Sequence, residues 1–559
     1  MKTSLWYVGL LVEKFWKSLK TNSFFQETGL SCAISYHRSF TFAWIMVWLM
    51  WKNSRYQDPS RLPLLDSNGQ PNQSQSQADQ QDVGADLSTP LPYRQLLVLC
   101  LMRITEPISQ GLIQPFINQM LEDLKVTPDR TQIGFYAGLI TSLFAFCQLC
   151  TTFWWGTLSD RIGRKPILIC GLIGLASSII SFGLQKSFVG LVIARCFAGI
   201  MNGNIAVVKS VLAECTDETN KARAFVLLPT SNALGMIIGP MIGGYLAQPA
   251  QQYPGLFGHN RFLLSNPYFL PCFIAGLSNL SAAVLGFFYL EETLKSKKAV
   301  NTFSTSIERI DTSHSETESD AQEPQRKFTS LFSPMVVSVL SGSLLVYFQI
   351  SSWTTLIPMF AYTRVEDGGL GLSLNQIGTA LSTDGLVSIV VQIIVFPYVQ
   401  RRWGTLNVFK AVLLTWPVAF GLLPCVRWLM IQKGKQFGEE AASQIALFAL
   451  IAVLAIKSFG QMTMVCVSLL INSAAPSPST FGALNGLGQS CSALARTFAP
   501  IITGTLFSMS IDKHKHYLGG NLIFIATVFV SILTSFVAQT IRTKSDRINQ
   551  KSKNVVGQL

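Results

Sequence analysis

The chain has 559 residues, 49% of them hydrophobic and only 13% charged, with a mean hydropathy of +0.36. That balance excludes a soluble globular protein of this size and places the chain in a bilayer. The formal charge of +13 does not point to nucleic acid, because Lys and Arg flank apolar segments instead of lining one face, where they serve to set topology.

Residues 1–92 form a first region. Its apolar run at 40–51 falls short of the roughly 20 residues that a span needs, and a thirteenth span would reverse the sidedness derived below. It reads as an interfacial segment, or as an upstream extension with a natural start near Met46 or Met50. Residues 57–92, with NGQPNQSQSQADQQD, offer nothing to bury and read as a solvated cytoplasmic tail.

From Tyr93 six segments of spanning length follow, at 93–121, 132–156, 167–185, 188–213, 222–247 and 267–290. Residues 291–332 lack apolar periodicity and are rich in Ser, Thr and acids, which predicts a flexible cytoplasmic linker open to phosphorylation. A second set occupies 333–362, 374–398, 405–430, 441–471, 480–510 and 520–541, and a basic tail closes the chain at 542–559. The expected fold is an all-α membrane protein of about twelve transmembrane helices in two pseudo-symmetric six-helix bundles, 93–290 and 333–541. Short internal matches support the symmetry. LIQPF aligns with TLIPMF (Pro115 with Pro358), and Ile162-Gly163 aligns with Trp403-Gly404. On that register Glu106 faces Gln349.

The Lys and Arg of the short connections orient the spans. One side carries Arg161, Arg164, Lys165, Lys221, Arg223, Arg401 and Arg402, together with the linker and the tail. The other side carries Lys125, Arg130, Lys186, Arg261, Arg364, Lys433 and Lys435. The first set favours a cytoplasmic location for both termini. The 11 cysteines follow no metal-ligand spacing, and most lie inside apolar segments, where a thiol packs as a small hydrophobe. Neither a disulfide framework nor a metal site is expected.

Several stretches carry more than hydropathy. In GTLSDRIGRKP, Gly156 and Gly163 permit a tight turn, Asp160 can cap a helix start, and Arg161, Arg164 and Lys165 place positive charge where one span ends and the next begins. In the first span, Arg103 and Glu106 lie on one helical face with Glu106 near the midplane. Its proton affinity is raised by desolvation and lowered by Arg103, which makes it the first proton-coupling candidate, against the alternative of a fixed salt bridge. Arg195 lies in the fourth span, where a charge costs about 2.5 to 3.5 kcal/mol and calls for an interior partner; it is a proton-coupling candidate that tunes a nearby carboxylate, against the alternatives of a structural ion pair or snorkelling from near the outer end. Asp384 in the eighth span is a further proton-coupling candidate, against a capping or packing role. In the fifth span Gly235, Gly239, Gly243 and Gly244 allow close helix approach while Pro240 breaks the hydrogen-bond ladder. Asn202, Gln349, Gln392, Asn485, Gln489 and Arg496 are candidates for lining a polar substrate cavity, whereas Lys209 is expected to snorkel from near a span end.

GTLSDRIGRKP resembles the loop between spans two and three of the major facilitator superfamily, GxLaDrxGrkp. That resemblance implies that Asp160 and Arg161 latch the two halves together when the transporter faces outward, and that Arg164 pairs with an acid at the inner end of span four, where Glu214 stands. LGMIIGPMIGG resembles the gxxxGPxxGG signature of drug:proton antiporters, and LVIARCFAGI the family's lxxxRxxxG element. The EPI of span one, LEETL after span six and GALNGLGQSCSALARTFAPIITG are similar to the fungal and plant subgroup that includes zinc-induced-facilitator-like proteins. The cysteine-rich segment of the plant members is absent.

The resemblance implies two bundles rocking around a central cavity, with outward movement of a small organic molecule such as a drug, toxin or secondary metabolite in exchange for protons. The alternatives are a proton-coupled importer or uniporter of a nutrient or metal chelate, and a non-transporting membrane sensor. No phosphate-binding loop or nucleophile elbow is present in the sequence, so neither an ATP-driven pump nor an enzyme is expected, and no cofactor beyond the proton gradient. Expected partners are the small-molecule substrate, protons and the lipid bilayer, without nucleic acid, for a monomer in the plasma membrane first and the vacuolar membrane second.

Overall fold

The computed structural model describes residues 91–217, 220, 224–225, 227–294, 334–474, 481–511 and 520–541. The N-terminal extension, the linker beyond Leu294, the C-terminal tail, Lys221 and Arg223 lie outside the described residues. No strand occurs among the described residues. This follows from the solvent, because a helix satisfies its backbone polar groups internally where lipid offers no partner.

The helices form twelve rods. Span 1 is Tyr93–Gly111, continued by Ile117–Asp123; span 2 is Ile133–Ile162, span 3 Arg164–Leu184, span 4 Phe188–Met201 with Asn204–Glu214, span 5 Leu227–Leu246 and span 6 Phe269–Tyr289. In the second half, span 7 is Pro334–Tyr362, span 8 Leu374–Val390 with Phe396–Trp403 across a π-helical turn at Val391–Val395, and span 9 Thr405–Leu413 with Thr415–Phe437. Span 10 is Glu439–Gly460 with Met462–Ala474, span 11 Phe481–Ile511 and span 12 Leu522–Thr540. Ten of these are long and apolar enough to cross a membrane by length and composition. The other two, spans 1 and 5, are less apolar, and they pack against each other.

The compact loop expected over 156–166 shrinks to one residue. Span 2 continues through Ile162, Gly163 turns the chain at φ 121°, and span 3 starts at Arg164. Gly404 does the same between spans 8 and 9 at φ 76°. Only glycine adopts such angles without strain, so the two matched positions perform one backbone task in the two halves.

One buried core runs through both halves, with Leu112, Phe116, Phe182, Leu191 and Cys272 from the first and Trp353, Phe360, Trp416, Phe420 and Leu423 from the second. Phe153, Trp154, Phe288, Phe448, Phe529 and Phe536 are exposed, as expected for side chains that meet lipid. The halves join along two seams, span 2 on span 11 and span 5 on span 8.

The seams place the contact on one side. Hydrogen bonds between described residues of the two halves include the backbone N–H of Phe135 donating to Ser508, that of Ile501 donating to Ser142, Ser382 donating to the Ile237 carbonyl, Tyr362 donating to Glu122, and one shared by the Tyr245 and Thr379 hydroxyls. Apart from Ile237 at the middle of span 5, these residues lie in the parts of their spans remote from the turn at Gly163. The molecule is therefore closed on the side opposite that turn.

Candidate functional site

The first half holds a buried charge centre on span 1. Arg103 Nη1 donates to Glu106 Oε2 at 2.7 Å, one helical turn away, and Arg103 Nη2 reaches Asn232 Oδ1 of span 5 at 3.2 Å. The other oxygen, Oε1, accepts from Asn202 Nδ2 at 2.8 Å and from Gln110 Nε2 at 3.0 Å. Asn202 stands where span 4 breaks between Met201 and Asn204, and Gln148 of span 2 donates to its carbonyl at 3.2 Å. The break thus delivers an amide to the carboxylate, and Gln148 satisfies a carbonyl that the break leaves free. Spans 1 and 4 bond Glu106 directly and spans 2 and 5 bond its neighbours Asn202 and Arg103, and Glu106, Arg103 and Asn202 are all buried.

A small cavity of about 20 Å³ adjoins Glu106, lined also by Gln110, Phe144, Phe182, Arg195 and Asn202. That is space for about one water. Arg195 faces it without a carboxylate partner among the described residues. Its guanidinium lies over Phe144 at 5.0 Å and Phe182 at 5.6 Å, and its Nε has no hydrogen-bond partner. The interior partner expected for this cation is thus a pair of aromatic faces, which attract a desolvated guanidinium.

The glycines of span 5 explain why spans 1 and 5 lie so close. A Cβ on Gly239 would sit 2.7 Å from the Ile108 carbonyl oxygen, and one on Gly235 2.7 Å from that of Ile104; Gly243 lies closest of all to span 1, against Leu112. These three are four residues apart and share the face that meets span 1. Gly244 turns to the other half, where its Cβ would meet the Leu374 carbonyl oxygen at 2.6 Å. Pro240 packs beside Gly111. One short motif therefore seats the span that carries Glu106 and closes the seam to span 8.

At the Gly163 turn, Arg164 Nη2 lies 2.6 Å from Asp160 Oδ1 and 3.1 Å from Glu214 Oε1, and Nη1 donates to Ser159. The Asp160 side chain is 61% exposed and pairs with Arg164 within its own half. Arg161 is exposed, Lys165 lies over the Phe287 ring at 5.6 Å, and Gly156 has open space beside it. Asp160 does not cap span 3, because it sits in the last turn of span 2. Glu292 caps it instead, accepting from the backbone N–H of Arg164 at 2.9 Å and of Lys165 at 3.0 Å. Thr293 donates to Glu214 Oε2, so the LEETL segment fastens onto the turn from two sides.

In the second half Asp384 is paired. Lys457 Nζ of span 10 lies 2.8 Å from Asp384 Oδ2, and Ser458 Oγ donates to Oδ1 at 3.1 Å. Of the cavity candidates, Gln349 is buried inside this half, donating to Thr534 of span 12. Gln392 lies half-buried in the π turn. Asn485 and Gln489 are exposed, Asn485 donating to Asn472 at 2.9 Å. Arg496 of span 11 lies within Coulombic range of Glu106 and Arg103, and Lys209 within range of Arg103 and Arg496, so Lys209 does not snorkel away from the interior. No group of three or more metal-ligating side chains occurs among the described residues. Sequence reasoning missed Gln110, Lys457 as a charge partner, Asn232 as the second acceptor for Arg103, and Glu292 as the cap. Gln110 alone had a local signal, four residues from Glu106 on the same helical face.

Comparison with known proteins agrees with this architecture. Residues 99–368 match the family model described as Major Facilitator Superfamily. The chain is 34% identical over 502 residues to the major facilitator superfamily multidrug transporter mfsB of Aspergillus fumigatus, covering 77% of this chain and 81% of that one. It is 27% identical to the protein ZINC INDUCED FACILITATOR 1 of Arabidopsis thaliana, over 82% of this chain and 93% of that one. Among solved structures it is similar to a bacterial homologue of the human lysosomal transporter Spinster in an inward-facing, unoccupied conformation, with a TM-score of 0.57 at 15% identity, covering 80% of this chain and 97% of that one.

Proposed function

This chain belongs to the major facilitator superfamily and is a multi-span membrane transporter, not an enzyme; from that premise we propose that it exports a small organic molecule by exchanging it for protons. The observation that carries the proposal is the ring of donors around Glu106. A carboxylate buried in a membrane span is costly unless its charge is answered, and here three side chains from two spans answer it. Arg103 has a second acceptor in Asn232, so it keeps a bond if Glu106 takes up a proton and its charge-assisted bond weakens.

In this reading a proton arrives at Glu106 from the far side while the turn at Gly163 is closed against span 11, and leaves to the cytoplasm in the conformation described above. Outgoing substrate binds between the halves near Arg496 and Asn202. Arg195 faces the same cavity as Glu106 and supplies positive potential there. Asp160, Arg161, Arg164, Lys165 and Glu214 latch the opposite conformation. The span 5 glycines support the direction of movement through their likeness to the antiporter signature, as does the multidrug-transporter name of the Aspergillus relative. We place the protein in the plasma membrane as a monomer, with the basic side of Arg161, Arg401 and Arg402 in the cytoplasm.

A susceptibility and accumulation screen in cells with and without the gene, across drugs, fungal metabolites and metal chelates, identifies the exported compounds. Glu106→Gln should retain binding of such a compound yet lose gradient-driven accumulation. An unchanged pH dependence of transport in that variant would refute the role of Glu106.

A further inference from the structure

Each half holds one complete mid-membrane charge pair, Arg103–Glu106 in the first and Lys457–Asp384 in the second. The second pair is built differently from a structural clasp. Lys457 is sealed, with a side chain 2% exposed, held over the Trp353 ring at 6.0 Å. Asp384 is 16% exposed. A proton can thus reach the carboxylate while the ammonium stays enclosed. A buried ion pair also contributes little stability beyond that of well-packed apolar side chains, so stability alone does not account for its presence.

Its position points to transport. Ser382 Oγ donates to the Ile237 carbonyl of span 5 at 2.9 Å, and a Cβ on Gly385 would meet Ile237 at 2.8 Å. Asp384 therefore lies in the same helical turn as two contacts of the seam where the halves join, with its carboxylate turned to span 10. Span 5 also carries Asn232, the second acceptor of Arg103, so the same seam has one charge pair on either side of it. Less than two turns beyond Asp384, the π-helical turn at Val391–Val395 leaves span 8 locally loosened, a feature that recurs at functional sites.

We propose that Asp384 is a second proton acceptor and that Lys457 is its positioning residue, so that a transport cycle exchanges protons in both halves. This rests on the proton-exchange reading of the Glu106 site. The carboxylate takes one proton from water to become the neutral acid, and returns it to water on the other side. The Lys457 ammonium keeps its proton throughout. The side chains that bond Asp384 both come from span 10, the Lys457 ammonium and the Ser458 hydroxyl. Lys457 is therefore the charge that opposes protonation.

The test needs no substrate. Infrared difference spectra of the purified full-length protein, taken between alkaline and acidic buffer, show each carboxylate that gains a proton as a new carbonyl band. One band should vanish in Glu106→Gln and a different one in Asp384→Asn. Lys457→Met should keep the Asp384 band and change the pH range over which it appears, because the ammonium 2.8 Å from the carboxylate is gone. Asp384→Asn leaves Lys457 unopposed and can fail to fold; the double variant Asp384→Asn, Lys457→Met carries no such charge and should lack the same band. A spectrum of the double variant identical to that of the parent overturns the proposal. Loss of no band in Glu106→Gln would instead overturn the proton-exchange reading on which it rests.

Discussion

Gly378→Ala separates the two conformations of the transporter. Gly378 lies on span 8, and a Cβ there would sit 2.7 Å from the Pro240 carbonyl oxygen and 3.0 Å from the Gly244 Cα of span 5. Both neighbours are backbone of the other half, so no side chain can swing aside. Ordinary van der Waals contact begins at 3.4 Å, so the seam must part by several tenths of an ångström, an overpacking that costs about 1 to 3 kcal/mol. The cost falls only on the state in which the seam is shut. It should shift the balance by roughly 5- to 150-fold toward the state closed at Gly163. Spin labels at the exposed Gln251 and Glu366 report the separation of the halves on the shut side, once Cys32 and the thiols exposed among the described residues, Cys150, Cys170 and Cys425, have been removed. The variant should gain a longer-distance population. A folded Gly378→Ala protein with the parent's distance distribution would refute the idea that this seam gates the molecule.

Gly239→Ala supplies the contrast, because its Cβ would meet Ile108 and Leu112 within the same half; it should lower thermal stability by about 1 to 3 kcal/mol without moving the spin-label distances. Removing the cap of span 3 with Glu292→Ala should cost about 1 kcal/mol in a denaturation experiment, and Glu292→Asp less, since the aspartate keeps an acceptor for the two backbone N–H groups. Tyr268, just before span 6, donates to Asp123, and burial together with that carboxylate pushes its hydroxyl pKa up from the usual 10.0. A raised value means that the stabilising, protonated form is fully present below pH 10.0 and is lost only above it. Tyr268→Phe should therefore destabilise the protein equally at neutral and mildly alkaline pH, as read from melting temperatures.

The elements most legible in the sequence were those fixed by local physics. Apolar length identified the spans, and helical periodicity put Arg103 beside Glu106 and three glycines of span 5 on one face. Even so, local reasoning drew Gly156–Pro166 as a loop when a single positive-φ glycine was enough to turn the chain. What the sequence concealed depends on register between distant helices. Lys457 meets Asp384 across 73 positions, and Glu292 meets the N-terminus of span 3 across 128. Gln349 looked like a cavity residue because it aligns with Glu106, yet it faces span 12. Arg195 calls for an interior partner by charge, and the partner is the pair of aromatic faces of Phe144 and Phe182.

The central claim is that proton movement through Glu106 drives export, and one measurement addresses it directly. Purified protein is reconstituted in liposomes with a pH gradient imposed across the membrane, and a compound identified by the accumulation screen is followed by its uptake. Accumulation on the acidic side that collapses when the gradient is dissipated, and that is lost in Glu106→Gln, is the result expected. Accumulation on the alkaline side, or equal accumulation by the Glu106→Gln protein, would contradict the account.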